Sequence, residues 1–157
     1  MTVRTTKRSA GLLLFRHTDQ GLEVLLGHMG GPFFAKKDAG AWTVPKGEYD
    51  PEEPAWEAAR REFQEELGLA PPDGEALALG EVVQSNGKIV TAWAVAADLD
   101  PETIVPGTFT MEWPPRSGRT QEFPELDRVA WFTPDRARAV IIPAQAAFLD
   151  RLAEHSL

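Results

Sequence analysis

The chain contains no cysteine among its 157 residues, which excludes a disulfide framework, a thiolate metal site and a cysteine nucleophile. No apolar run approaches the roughly 20 residues of a membrane-spanning helix. The three histidines, His17, His28 and His155, do not stand at the spacing of a helical metal pair. Ser85 lacks the glycine context of a nucleophile elbow, so nothing supports a serine hydrolase. Basic residues are in deficit, 16 against 24 acids, and the net charge of −8 argues against nucleic acid as a partner, which calls for a basic footprint. The start, MTVRTTKRSAGLLLF, is basic, but LLLF is too short for a signal sequence and no small-residue cleavage site follows. With no membrane span either, the chain reads as cytoplasmic. Its length suits one compact domain over residues 1–157, without internal repeats. A net negative charge still allows a phosphorylated small molecule, provided divalent cations stand between the acids and the polyanion.

The segments SAGLLLF (residues 9–15) and LEVLL (22–26) read as apolar strands joined by a hairpin-like turn. The Gly-rich stretch 27–41 reads as a long loop. Strands are expected at about 78–84 and 88–97, joined by SNGK, whose Asn-Gly marks a tight hairpin. Residues 101–125 are Pro-rich and read as a loop with a short extended piece at its centre. RVAWF (128–132) is a last strand, and the remainder is helical, with Thr133 as N-cap before Pro134 and a break at Pro143. Strands, helix, strands, helix: the order predicts an α+β fold, a mixed β-sheet flanked by a central helix and a C-terminal helix.

The stretch GEYDPEEPAWEAARREFQEELGL (47–69) has eight acids in 23 residues. A helix is expected from Glu53 as N-cap and Pro54 as first helical residue to Leu67, with Gly68 as the left-handed cap. At about 100° per residue, Trp56, Ala59, Phe63 and Leu67 form a buried stripe. Glu62, Glu65 and Glu66 fall in a neighbouring sector, with Ala55 and Ala58 on that side small enough to let something approach. Like charges at i,i+3 and i,i+4 repel, and the C-terminal end of the helix dipole disfavours Glu65 and Glu66 by about 0.3–1 kcal/mol each. Lysine in that last turn would be the cheaper choice for a solvated face. A rigid cluster of oxygen donors is instead what Mg²⁺ or Mn²⁺ requires.

Gly47, Glu53, Arg61-Glu62-Phe63, Glu65-Glu66 and Gly68-Leu69 together resemble the Nudix box, G-x5-E-x7-R-E-U-x-E-E-x-G-U, where U is bulky and apolar. The resemblance implies an α/β/α sandwich and a Mg²⁺- (or Mn²⁺-) dependent pyrophosphohydrolase acting on a nucleoside diphosphate linked to another moiety. It implies Glu62, Glu65 and Glu66 as metal ligands with the backbone carbonyl near Gly47, Arg61 as the residue orienting the glutamates, and Glu53 as supporting carboxylate. The general base is either a box glutamate or an acid of a later loop, for which Glu122 and Glu125 are the candidates. Family members are often dimers, although nothing in the chain marks an interface for a homodimer. A non-catalytic nucleotide-sensing module is the rival from another class, and the intact box speaks against it.

Before the box stands Trp42-Thr43-Val44-Pro45-Lys46-Gly47. Its Pro-Lys-Gly resembles the branch that handles diadenosine polyphosphates and diphosphoinositol phosphates. That likeness places Lys46 on a substrate phosphate. Trp42 has two readings, a stacking surface for a base or a core residue entering a strand. Lys36, Lys37, Arg116 and Arg119, in the two long loops, are further phosphate candidates. The substrate is then a phosphorylated small molecule of nucleotide type: a dinucleoside polyphosphate first, with ADP-ribose, sugar nucleotides and nucleoside triphosphates as alternatives.

Overall fold

The computed structural model describes residues 6–155; the first five residues of the basic start and the last two of the segment expected as helix lie outside them. Strands and helices are numbered in chain order. The first hairpin joins β1 (Arg8–Thr18) to β2 (Gly21–Met29). Both run longer than their apolar cores because backbone pairing continues through polar residues. β2 enters the stretch expected as loop, since Gly27 and His28 pair with β3 (Trp42–Thr43) on one side and with β9 (Leu126–Phe132) on the other. The long loop is therefore 30–41. Ser9, Ala10 and Gly11 pair antiparallel with β4 (Lys46–Glu48), while residues 8–15 of β1 run parallel to β6 (Ile89–Ala96). β5 (Ala76–Val83) pairs with β6 across the Asn-Gly turn and closes the mixed sheet.

Every residue of β1 from Ser9 to Phe15 is buried, so both faces of the sheet are covered. Alternation sorts them. Ala10, Leu12 and Leu14, with Leu25, meet Ala58, Ala59, Phe63 and Leu67 of α1 (Ala55–Leu67). Leu13 and Phe15, with Val24 and Leu26, meet Ala137 and Val140 of α2 (Pro134–Val140) and Phe148, Leu149 and Leu152 of α3 (Ala146–Glu154). The result is the expected α/β/α sandwich. Burying each large apolar side chain contributes about 1.5–3 kcal/mol. Thr133 caps α2 by accepting from the Arg136 N–H, and Pro143 opens a 3₁₀ turn that separates α2 from α3.

Three local expectations change. The cap of α1 is Pro54, with no side-chain hydrogen bond, and not Glu53. Both carboxylate oxygens of Glu53 are instead taken by Arg61, at 2.8 and 2.9 Å. Ala58 is fully buried against the sheet and offers no open approach beside the acids. The stretch 101–125 carries a hairpin of its own, β7 (Thr108–Glu112) with β8 (Thr120–Pro124). Pro106, Pro114 and Pro115 lie outside its strands and Pro124 takes the last position of β8, so no ladder hydrogen bond is lost inside it.

The chain leading into this hairpin is tied to the end of α1. Val105 N–H donates to the Leu67 carbonyl at 2.8 Å and Gly107 N–H to the Glu66 carbonyl at 3.3 Å. These bonds satisfy carbonyls that a helix C-terminus leaves open. Glu125 N–H in turn donates to the Gly107 carbonyl at 2.8 Å. An acid 60 residues downstream is thereby brought to the acidic face of α1.

Candidate active site

A cleft of about 460 Å³ opens between β4, the end of α1 and the segment around Gly107. It is lined by Lys46, Gly47, Glu48, Glu62, Glu65, Glu66 and Glu125, together with Ser9, Lys88, Gly107 and Thr108. A larger hollow of about 660 Å³ lies beside it, bounded by Lys7, Arg8, Tyr49 and the Glu53–Arg61 pair. The smaller cleft is lined by Glu62, Glu65, Glu66 and Glu125 together and is where chemistry can occur.

Gly47 is the closest point of approach. A Cβ on it would lie 1.9 Å from Glu62 Oε2 and 2.1 Å from Glu62 Cδ, so any side chain there would have to displace the Glu62 carboxylate. Gly107 is constrained likewise, since a Cβ there would come 2.4 Å from the Glu65 carbonyl oxygen. The helix brings the three glutamates to different depths: Glu65 is exposed, Glu62 half-buried and Glu66 buried. Arg61 organises the shallow pair, donating to Glu62 at 2.7 Å and Glu65 at 3.1 Å while its other edge is held by Glu53. These bonds push the guanidinium pKa up and hold Glu53 below the usual carboxylate range.

Glu66 has no such partner. Burial, followed by the charges of Glu125 and Glu62, pushes its pKa to about 8, with Lys46 opposing. Burial also raises Glu62, against the pull of Arg61, and raises Glu125, against the pull of Lys46. Lys46 is shifted down by burial and then by the neighbouring charge of Lys88. Crowded, desolvated carboxylates are costly unless a cation joins them.

The donor set fits a hard divalent cation: carboxylate oxygens on one rigid helix, a fourth carboxylate facing them, and a strand whose glycine admits close approach. Among the described residues no three carboxylates converge on one ligating point, because Arg61 draws Glu62 and Glu65 to itself.

The sequence candidates divide into three groups. Lys46, Gly47, Glu62, Glu65, Glu66 and Glu125 meet in the cleft, with Arg61 and Glu53 directly behind. Arg119 and Glu122 lie exposed on the β7–β8 hairpin and do not line it. Trp42 corrects the stacking expectation: it is 4% exposed, packed edge-to-face on His28 and Phe132, and its indole N–H donates to Asp38 at 2.8 Å. No face is open for a base. Trp42→Phe should lower the melting temperature, through loss of the Asp38 bond and of packing, and leave the KM of any substrate unchanged; a raised KM at unchanged stability would restore the stacking role.

His28 is fully buried, with its ring nitrogens on Asp127 at 2.9 Å and the Lys37 carbonyl at 2.7 Å. It ties the long loop to β9 and stands outside the cleft. Ser9, Lys88 and Thr108 line the cleft without any sequence signal. Lys88 is a turn lysine in the sequence, and Ser9 is the polar first step of an apolar strand.

An α/β/α sandwich with a strand–loop–helix acidic cleft defines a class of enzymes that act on phosphoric anhydrides. The chain belongs to the NUDIX domain family, whose profile matches residues 5–152, and it is a pyrophosphohydrolase of that family. No curated protein matches it. Among solved structures it is similar to a Caenorhabditis elegans Ap4A hydrolase in a binary complex, at 21% identity over 95% of this chain and 96% of that one, TM-score 0.66. It is also similar to the NUDIX domain of Shewanella oneidensis NrtR complexed with ADP ribose, at 15% identity over 99% and 91%, TM-score 0.65. A third is RenU, a Nudix hydrolase from M. smegmatis, at 28% identity over 93% and 83%, TM-score 0.55.

Proposed function

We propose that the protein is a Mg²⁺-dependent pyrophosphohydrolase of nucleoside diphosphates linked to another group, with dinucleoside polyphosphates as its leading substrate class. The observation that carries this reading is the buried Glu66, among Glu62, Glu65 and Glu125, beside a β4 that has no side chain at Gly47 and a lysine at position 46. Glu62, Glu65 and Glu66 hold the cation, and Arg61, itself fixed by Glu53, sets the orientation of Glu62 and Glu65. When bound, Mg²⁺ supplies neutralisation of the phosphoryl oxygens and a lowered pKa for the attacking water. A water oxygen bonds to phosphorus as the bridging P–O bond breaks, and the departing phosphate keeps that bond's electrons. Glu65, Glu66 or Glu125 takes the water's proton. Of these, Glu125 lines the cleft from outside the helix, on the segment that its N–H ties to the Gly107 carbonyl. Lys46 contacts a substrate phosphate.

The solved relatives with Ap4A hydrolase activity or bound ADP ribose support a nucleotide substrate. The test is a hydrolysis screen with Mg²⁺ and with EDTA over diadenosine polyphosphates, ADP-ribose, sugar nucleotides and nucleoside triphosphates. Expected is Mg²⁺-dependent turnover, greatest on a dinucleoside polyphosphate. Turnover of none of them sinks the reading; preference for ADP-ribose keeps the reaction and replaces the substrate.

A further inference from the structure

Gln145 ends the 3₁₀ turn between α2 and α3 and is fully buried. A carboxamide in an apolar core is costly unless its polar atoms are paired. Here they are. Its Oε1 accepts from the Val44 N–H at 2.9 Å, while its Nε2 donates to Thr43 Oγ1 and to Gln84 Oε1, both at 2.9 Å. A backbone N–H only donates, so the Val44 contact fixes which end of the amide is oxygen. The backbone fastens the same segment. Ile141 bridges to Trp42, Ile142 N–H donates to the Trp42 carbonyl at 2.8 Å, and Gln145 N–H donates to the Ile142 carbonyl at 2.8 Å. The stretch between α2 and α3 thus lies along β3, and its last residue reaches past the end of that strand.

What Gln145 holds there is the step between two strand pairings. β3 pairs with β2, Gly27 opposite Thr43, whereas β4 pairs with β1, Gly11 opposite Lys46. Val44 and Pro45 carry the chain from one partner strand to the other. Pro45 has no N–H, so Val44 supplies the last backbone donor before β4, and that donor goes to a side chain rather than to a strand. On the far side of the step, Leu12 N–H donates to the Pro45 carbonyl at 3.2 Å. Two residues beyond Pro45, Gly47 lies against Glu62, where a Cβ would come within 1.9 Å of Oε2. Such close packing gives any shift of β4 a direct effect on Glu62. β4 is three residues long and has few pairings of its own to hold its place. The other arm of the carboxamide reaches the β5–β6 turn, where Gln84 N–H donates to the carbonyl of Lys88, a residue of the cleft, at 2.9 Å.

We propose that Gln145 is a positioning residue for hydrolysis: its carboxamide holds the Val44–Pro45 step and so fixes where β4 sets Lys46 and Gly47 against the glutamates of α1. It touches neither substrate nor metal and acts through the backbone of residues 44–47. Its effect on turnover rests on the pyrophosphohydrolase reading, while its hold on β4 does not.

Three variants and two readouts test this. Gln145→Met keeps the volume and loses every bond of the carboxamide. Gln145→Glu keeps an acceptor for the Val44 N–H. Leu152→Ala, a buried position two turns along α3, weakens the same core by packing and leaves the Gln145 bonds in place. In the metal-free protein, amide hydrogen exchange at Val44 and Leu12 should quicken in Gln145→Met by about tenfold more than in the rest of the sheet, the scale of one lost hydrogen bond. In Gln145→Glu and Leu152→Ala these two amides should change only as the rest of the sheet does. Turnover of diadenosine tetraphosphate with Mg²⁺ should fall about tenfold in kcat for Gln145→Met, with KM nearly kept. The other two variants should melt lower than the parent and keep its kcat, a split that lost stability alone does not produce. The proposal is overturned if Gln145→Met folds and keeps the parent's kcat, or if the Val44 amide of the parent exchanges as freely as an exposed one. Should Gln145→Met not fold, Gln145→Glu decides: Val44 protection and kcat kept together or lost together uphold the proposal, and either one kept without the other overturns it. A parent that hydrolyses nothing removes the hydrolase reading, and exchange at Val44 and Leu12 then decides the hold on β4.

Discussion

Glu66→Gln should lower kcat by about three orders of magnitude, the scale of removing a member of a catalytic unit, and at the same time make the metal-free protein more stable at pH 8. The opposite signs come from one cause. In the folded chain the Glu66 carboxyl titrates at about 8, against an ordinary value of 4.5. Between those values the folded protein retains a proton that the unfolded chain has released. A group whose folded-state pKa is raised stabilises the fold at low pH, and that contribution is lost as pH rises through the folded value. The metal-free parent should thus lose stability progressively from about pH 4.5 to about pH 8, by a total on the order of a few kcal/mol for a shift of this size. Glutamine has the same shape and no charge to desolvate, so the variant should show a flatter profile. Its advantage over the parent should be largest at pH 8 and close to nil at pH 5. Adding Mg²⁺ should then raise the melting temperature of the parent at pH 8 and leave the variant almost unmoved. Melting curves across pH, with EDTA or Mg²⁺, read all of this. A variant less stable than the parent at pH 8 would show that burial does not set the charge of Glu66.

Gly47→Ala is the second large effect, expected to reduce kcat/KM about 100-fold through displacement of a reacting geometry by about an ångström. The new methyl group would sit 1.9 Å from Glu62 Oε2, an overlap that must be relieved by moving the side chain of Glu62 or the strand. Glu62 is the easier to move, because its carboxylate is already shared with Arg61 at 2.7 Å. The displaced carboxylate no longer reaches the cleft in its original place. β4 is short and its pairing with β1 does not depend on a side chain at position 47, so thermal stability should fall by only a few degrees. Activity and stability measured together separate the two outcomes. An alanine variant of full activity would mean that Glu62 is not a ligand in the working enzyme; a variant that fails to fold would mean that β4 carries more of the sheet than its length suggests.

Much of the fold was legible in the sequence. The apolar strand pairs, the Asn-Gly turn, the stripe of Ala59, Phe63 and Leu67, the cap at Gly68 and the Thr133–Pro134 start of α2 are local patterns, decided within a few residues of one another. Where expectation failed, a distant partner intervened. Glu53 does not cap α1 because Arg61, two turns along, takes both its oxygens. Trp42 does not face a base because β2, β9 and the 30–41 loop close over it. The 101–125 stretch forms strands because Phe109 and Phe123 meet across a hairpin whose prolines fall outside the pairing.

By itself the sequence determined the acidic face: 3.6-residue periodicity places Glu62, Glu65 and Glu66 together on any helix that residues 55–67 can form. Spacing sufficed there, since one helix turn is a local object. Only the tertiary structure decided which of these carboxylates is buried, and that Glu125, Lys46 and Lys88 join them in one cleft. Those choices depend on sheet register and on backbone bonds between residues up to about 80 positions apart, and no local pattern carries that information.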